Sequence, residues 1–331
     1  MLDKVVLVNN PIHPAALDRL ASEVEVRAPY DATPEEARAL LLHVHGVVLG
    51  FDLFMGPAEL DLAEKLEVIG RHGVGLDNVD VPAATERRIP VTFTPYGPTE
   101  STAEHALLLM LATARRLPQL DRAVRTGDFG LRARPEAMGH ELVGKVLGVV
   151  GFGRIGRRLA EMCRAALQMP VCVFDPFLSP SAVTDWGGEL VHDLVELASR
   201  VDVLSIHVPL SPETHHLIDA EVLNALKPGS LLINCSRGPV VEEGALVRAL
   251  RSGHLAGAGL DVYDPEPPIS ENPLFEFDQV VLTPHVASCT HEGRLRMGLT
   301  VVEDVLRVLR GERPDYLANP EVWSQRRRPN R

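Results

Sequence analysis

Three polar residues stand just past apolar runs in the second half of this 331-residue chain. Arg237 lies in Asn234-Cys-Ser-Arg-Gly-Pro-Val240, Glu266 in Leu260-Asp-Val-Tyr-Asp-Pro-Glu266, and His285 in Leu282-Thr-Pro-His-Val-Ala-Ser288. The runs predict strands, and in an open α/β sheet the strand ends line the ligand crevice. A guanidinium, a carboxylate and an imidazole placed there fit hydride transfer to a 2-oxo acid. The planar fork of Arg237 can clamp a carboxylate and polarise the neighbouring ketone. His285 can give a proton to the carbonyl oxygen and accept it in the reverse direction. Glu266 can bond the far ring nitrogen and fix the tautomer. Taken singly, each has a plainer reading: an arginine bonding loop carbonyls, a glutamate in a solvated turn, a histidine capping a strand. The ordered set is less easily explained away.

A second constellation binds rather than reacts. In Val149-Val-Gly-Phe-Gly-Arg-Ile-Gly156, glycines at 151, 153 and 156 sit between a strand-like and a helix-like stretch. The first permits the tight turn, the second lets main chain approach a pyrophosphate, and the third lets helix pack on strand. The helix N-terminus that follows favours negative charge. Nineteen residues after Gly156 (175 − 156), Asp175 ends the next strand-like run, where an acid accepts from a ribose 2′-hydroxyl and repels a 2′-phosphate.

Alternating short β-branched runs and amphipathic stretches must position these groups. Strands are predicted at Lys4–Val8, Val24–Arg27, Gly46–Leu49, Glu67–Gly70, Pro90–Phe93, Lys145–Val150, Val171–Asp175, Val201–His207, Ser230–Cys235, Ala256–Leu260 and Gln279–Thr283. Helices are predicted at Pro34–Leu42, Pro57–Lys65, Arg157–Ala166 and Glu292–Arg310, with a long one opened by a capping box at Ser101-Thr-Ala-Glu104 and ending near Leu117-Pro118. The charged segment from Gln119 to Val143 reads as less regular. The rhythm implies two α/β units with parallel sheets, the dinucleotide fold in the second, and a last helix returning to the first.

The bulk properties exclude several classes. A net charge of −12 and a pI near 5.5 do not suggest a nucleic-acid surface. The basic run Arg326-Arg-Arg328 reads as a frayed, solvated end. The longest apolar run, Ala106 to Ala112, is too short to span a bilayer. Cys163, Cys172, Cys235 and Cys289 are far apart, which points to reduced thiols in a cytoplasmic chain and to neither disulfides nor a metal site.

The chain closely resembles the D-2-hydroxyacid dehydrogenase family. The resemblance rests on Arg71-His-Gly-Val-Gly-Leu-Asp-Asn-Val-Asp80, Ser101-Thr-Ala-Glu-His105, the glycine run, His207-Val-Pro-Leu-Ser-Pro-Glu-Thr214, Asn234-Cys-Ser-Arg-Gly-Pro-Val-Val241, Gly259-Leu-Asp-Val-Tyr-Asp-Pro-Glu-Pro267 and Thr283-Pro-His285, all in the family's order. It implies two doubly wound parallel-sheet domains: a flavodoxin-like substrate domain (1–98 and 291–331) and a Rossmann NAD-binding domain (99–290), with NAD in the cleft between them. It implies Arg237, Glu266 and His285 as the catalytic set, with Val74 and Gly75 N–H groups holding the substrate carboxylate beside Arg237 and His285. For NAD it implies Gly151, Gly153, Arg154, Ile155 and Gly156 at the pyrophosphate, with Thr102 on that side, and Asp175 at the ribose. Val208 and Pro209 wall the adenine near Thr214, and Asp261 meets the carboxamide near Cys235. His207 reads as structural. An arm at about 118–144 implies a homodimer.

The pattern is broken at two places. Phosphoglycerate-using relatives carry an arginine where this chain has Gly50, so a phosphorylated substrate is disfavoured unless Arg132 or Arg134 of a partner's arm substitutes. Gln168 stands where a helix-ending glycine is usual. Phe51, Phe54, Met55 and Tyr96 suggest an apolar substrate pocket. Two further readings stay open: an NAD-responsive corepressor-like scaffold of the same fold, and a phosphite-type dehydrogenase.

Overall fold

The computed structural model describes residues 2–327. The chain divides into two compact units, Met1–Thr99 with Cys289–Arg331, and Glu100–Ser288.

The first unit is built on β1 (Val5–Val8), β2 (Glu25–Arg27), β3 (Gly46–Leu49), β4 (Val68–Arg71) and β5 (Val91–Thr92). All neighbours pair parallel in the order β2-β1-β3-β4-β5. This is the flavodoxin-like doubly wound order. Strands such as Gly-Val-Val-Leu at β3 are buried throughout because helices cover both faces. One face is covered by the helix His291–Arg310, through Val301, Val302, Val305 and Leu306. Gly70 lets it lie close, since a Cβ there would stand 2.4 Å from Val305 Cγ2. Thr290 caps that helix by accepting from Gly293 N at 2.9 Å, and left-handed Gly311 ends it. Arg19 and Arg310, on the first and last helices, both pair with Glu23 and Glu303.

The second unit has β6 (Leu147–Val150), β7 (Val171–Phe174), β8 (Glu189–Leu190), β9 (Val203–Ile206), β10 (Ser230–Asn234), β11 (Leu255–Leu260) and β12 (Val280–Leu282). Their order is β12-β11-β10-β9-β6-β7-β8, all parallel. Counted from β6 this is the Rossmann order, and it reverses between β6 and β9. The helix Thr99–Ala114 packs against β11 across Gly257 and Gly259, where added Cβ atoms would meet Thr113 Cγ2 at 2.7 Å and Leu109 Cβ at 2.8 Å.

Several expectations need correction. The long helix starts at Thr99, so Ser101 is a buried residue inside it and not a cap. It ends at Ala114. Left-handed Arg116 then leads into a second helix, Leu117–Arg125, with Pro118 in its first turn, so part of the segment thought irregular is helical. The two-residue strand β8 has too little pattern to be legible. Arg326 and Arg327 are not frayed: Arg326 stacks over Trp323 and donates to Gly311 O, while Arg327 donates to Ala63 O and Glu64 O. Arg328 lies outside the described residues. Met55 is not a pocket residue but part of the first unit's core, whereas Phe51, Phe54 and Tyr96 are exposed.

Candidate active site

The glycine turn forms as its spacing requires. Gly151 has φ +90°, and a Cβ there would run into the main chain of His207 at 2.9 Å. A Cβ on Gly156 would stand 2.3 Å from Gly151 O, whereas the space around Gly153 is open. Gly153 caps the helix Arg154–Leu167 without any side-chain bond. An open main-chain turn at a helix N-terminus suits the pyrophosphate of a dinucleotide. Arg154 and Ile155 open that helix. Asp175 follows β7, and its carboxylate accepts from Phe152 N at 2.9 Å and Phe177 N at 3.0 Å. Two of its roughly four acceptor positions are thereby used, which leaves capacity for a ribose hydroxyl. Gln168 takes the left-handed conformation (φ 54°) that a glycine would take without strain.

The other expected cofactor residues are placed as follows. Val208 lies against Gly151, 2.8 Å from its notional Cβ. Thr214 closes the turn after β9 by donating to Pro209 O at 2.7 Å. Thr102 is buried in its helix. Burial pushes the Cys235 thiol well up. His207 contacts Ser205 Oγ at 2.8 Å, and burial lowers its pKa to about 4, which favours the neutral ring at neutral pH.

β10, β11 and β12 end in one register row, with Asn234 beside Leu260 and Leu260 beside Leu282. Arg237, Glu266 and His285 all follow this row. Asn234 shapes the first turn: its side-chain nitrogen donates to Arg237 O at 2.8 Å and its oxygen accepts from Ser236 N at 2.9 Å. Gly238 passes so close to Tyr263 that a Cβ would fall 1.8 Å from the Tyr263 carbonyl oxygen. The turns after β10 and β11 are therefore locked together.

His285 and Glu266 meet directly, with Nδ1 and Oε1 2.5 Å apart. With Glu266 ionised the carboxylate only accepts, so Nδ1 carries the proton of this bond. The His285 side chain is 43% exposed. Behind it, Asp261 is fully buried and accepts from Thr283 Oγ1 at 2.6 Å, Val286 N at 2.9 Å and Ala287 N at 2.8 Å. Burial alone would raise the Asp261 pKa. Bonds from His105, Thr283 and the two amides outweigh this and hold it below the ordinary value. His105 and Thr283 stand in stretches that carry the family resemblance, but the sequence assigns neither a role. Their place emerges only from the packing of the Thr99–Ala114 helix.

The remaining substrate candidates belong to the first unit and are described within it. Val74, exposed, and Gly75 follow the carboxyl end of β4, in a loop where Arg71 Nε donates to Gly75 O at 2.9 Å. Gly50 follows β3, and a Cβ there would overlap Asn10 Oδ1 at 1.8 Å. The Asn10 side chain accepts from Phe51 N and Asn9 and donates to Asp52.

Comparison with known proteins identifies the family. The family described as "D-isomer specific 2-hydroxyacid dehydrogenase, NAD binding domain" matches residues 107–287, within the second unit. The chain is 37% identical to a glyoxylate reductase of Korarchaeum cryptofilum over 96% of each protein. It is 40% identical to a D-3-phosphoglycerate dehydrogenase of Archaeoglobus fulgidus over 92% of this chain, but spans only 57% of that longer relative. A solved structure of an NADPH-dependent glyoxylate/hydroxypyruvate reductase from Sinorhizobium meliloti, in complex with NADP and malonate, superposes with a TM-score of 0.86 at 33% identity over 99% of each chain. The chain belongs to the D-isomer specific 2-hydroxyacid dehydrogenase family.

Proposed function

We propose that this chain is a nicotinamide-dependent oxidoreductase interconverting a small D-2-hydroxy acid and its 2-oxo acid. The observation that carries the reading is the His285–Glu266 pair at 2.5 Å, past the ends of the neighbouring strands β12 and β11, with Arg237 past the end of β10 on the other side of β11. A bound nicotinamide supplies or takes the hydride. Arg237 pairs with the substrate carboxylate in a charge-assisted, two-pronged contact. His285 gives the Nε2 proton to the carbonyl oxygen during reduction and takes one from the hydroxyl during oxidation. Its exposure lets water restore the proton between turnovers. Glu266 holds Nδ1–H, so the ring keeps one orientation through both protonation states.

Two finer choices follow. Asp175 favours NAD over NADP, because a 2′-phosphate beside a carboxylate is repelled. Gly50, standing where an arginine would meet a phosphate, favours a substrate without one. Exposed Val124, Phe129, Met138 and Val143 on the 118–144 arm are apolar surface of the kind a second copy covers, and support a homodimer. Arg134 pairs with Asp128 and Arg132 stacks on Phe129 within the arm itself, so neither substitutes readily as a phosphate ligand.

The test is NADH oxidation, followed by absorbance, across glyoxylate, hydroxypyruvate, pyruvate, branched and aromatic 2-oxo acids and phosphohydroxypyruvate. Turnover is expected on an unphosphorylated acid. Binding of NADH with no turnover on any of them would overturn the reading and favour a scaffold.

A further inference from the structure

We propose that His105 is a positioning residue for His285, acting through Thr283 and Asp261. The role rests on the assignment of His285 as proton donor given above. The sequence builds it from a distance. His105, Leu109 and Thr113 recur every four residues and share one face of the Thr99–Ala114 helix. Thr113 packs on Gly257 and Leu109 on Gly259. Four helical residues advance about 6 Å, and two strand residues about 6.6 Å. One further turn back along the helix therefore reaches residue 261.

His105 Nε2 stands there, 3.0 Å from Thr283 Oγ1 and 3.5 Å from Asp261 Oδ1. The threonine hydroxyl has a single proton, and the 2.6 Å contact with Asp261 takes it, because a carboxylate cannot donate. The Thr283 oxygen must then accept, so His105 Nε2 carries a proton and donates. The direction of the chain is thus fixed: His105 to Thr283 to Asp261. Asp261 in turn receives the N–H groups of Val286 and Ala287, and its own carbonyl receives His285 N at 2.9 Å. The loop is stapled on both sides of His285. It needs to be, since His285 has φ 52°, a conformation a non-glycine residue holds only when its surroundings impose it. Without the donor, Thr283 can turn its proton elsewhere, Asp261 loses its best-ordered partner, and the imidazole drifts from its productive place.

The experiment uses the full chain and four variants, His105→Leu, His105→Gln, Thr283→Val and Thr283→Ser. Three quantities are measured: steady-state kinetics with NADH and the best 2-oxo acid, NADH affinity by fluorescence titration, and amide hydrogen exchange across residues 283–288. His105→Leu and Thr283→Val are expected to lower kcat about tenfold or more, with NADH affinity within about twofold, because small misplacement of a reacting group is costly. They are also expected to speed exchange in the loop by about tenfold. His105→Gln and Thr283→Ser keep a donor and a hydroxyl and should recover most of both losses. Unchanged kcat and exchange in Thr283→Val, which is close to isosteric and carries the test if His105→Leu fails to fold, would overturn the proposal. So would a His105→Gln protein as impaired as His105→Leu. If the wild-type chain reduces no 2-oxo acid, the functional reading falls, and the exchange measurement alone decides the positioning role.

Discussion

At the carboxyl end of β6 the chain offers a ligand almost nothing but main chain. Gly151, Gly153 and Gly156 work by lacking side chains, and each added Cβ would strike a carbonyl or intrude on open space. At the carboxyl ends of β10, β11 and β12 the reverse holds. Arg237, Glu266 and His285 each present a side chain, and each is propped by others: Asn234 under the first turn, Tyr263 against Gly238, and Asp261 with Thr283 behind the imidazole. A site made of backbone tolerates change everywhere except at its few glycines. A site made of side chains depends on a wider shell, and its damage is graded by distance from the reacting atoms.

That contrast can be broken by substitution. Arg237→Ala is expected to have the largest effect, lowering kcat/KM by about 10⁴-fold through loss of two charge-assisted bonds. Steady-state kinetics check it, and a loss below about tenfold would remove Arg237 from the substrate. His285→Ala should lower kcat by about 10³-fold while NADH binds as before, the separation expected if the two ends act independently. A parallel loss of NADH affinity, seen by fluorescence titration, would show that they do not. Asp175→Ala acts at the other end and should shift the NADH-to-NADPH preference by about tenfold or more, with little change in kcat for the better cofactor. An unchanged ratio would mean that Asp175 serves only its two amide bonds. The smallest effect is expected from Gln168→Gly. Relief of the left-handed strain should stabilise the protein by about 0.5–1 kcal/mol, part of the gain being offset by a more flexible unfolded chain. Thermal unfolding measures this, and a destabilised variant would show that the Gln168 side chain contributes more than its backbone costs.

Much of the fold is legible in the sequence. β-branched runs separated by amphipathic stretches locate the long strands, because a strand buried on both faces has to be apolar throughout. Arg237 and His285 stand out in the sequence for the same reason, three residues past the ends of β10 and β12, whereas Glu266 comes later, in the proline-rich turn after β11. The illegible parts have physical causes. β8 is two residues long and half-exposed, so burial imposes no pattern on it. Ser101 satisfies the local rule for a cap, but the turn at Gly97-Pro98 already starts the helix at Thr99. Arg326 and Arg327 look like a solvated tail, and only the position of Trp323, Ala63 and Glu64 in space shows otherwise. His105 is the clearest case. It is separated from Thr283 by 178 residues, and its neighbour depends on which strand is rich enough in glycine for the helix to approach.

The first unit is interrupted, and this bears on how the protein is made. Glu100–Ser288 is one continuous stretch, so a ribosome that has passed Ser288 has delivered everything its sheet and core require. The earlier-made sheet of β1 to β5 is at that moment still bare where Val301, Val302 and Val305 will cover it. From the completion of β5 until the helix His291–Arg310 has been made, the older part of the polypeptide waits on the newest. That interval is when nascent chains would be most exposed to chaperones, proteases and one another, and truncation within that helix would strand the first unit, not the last one made.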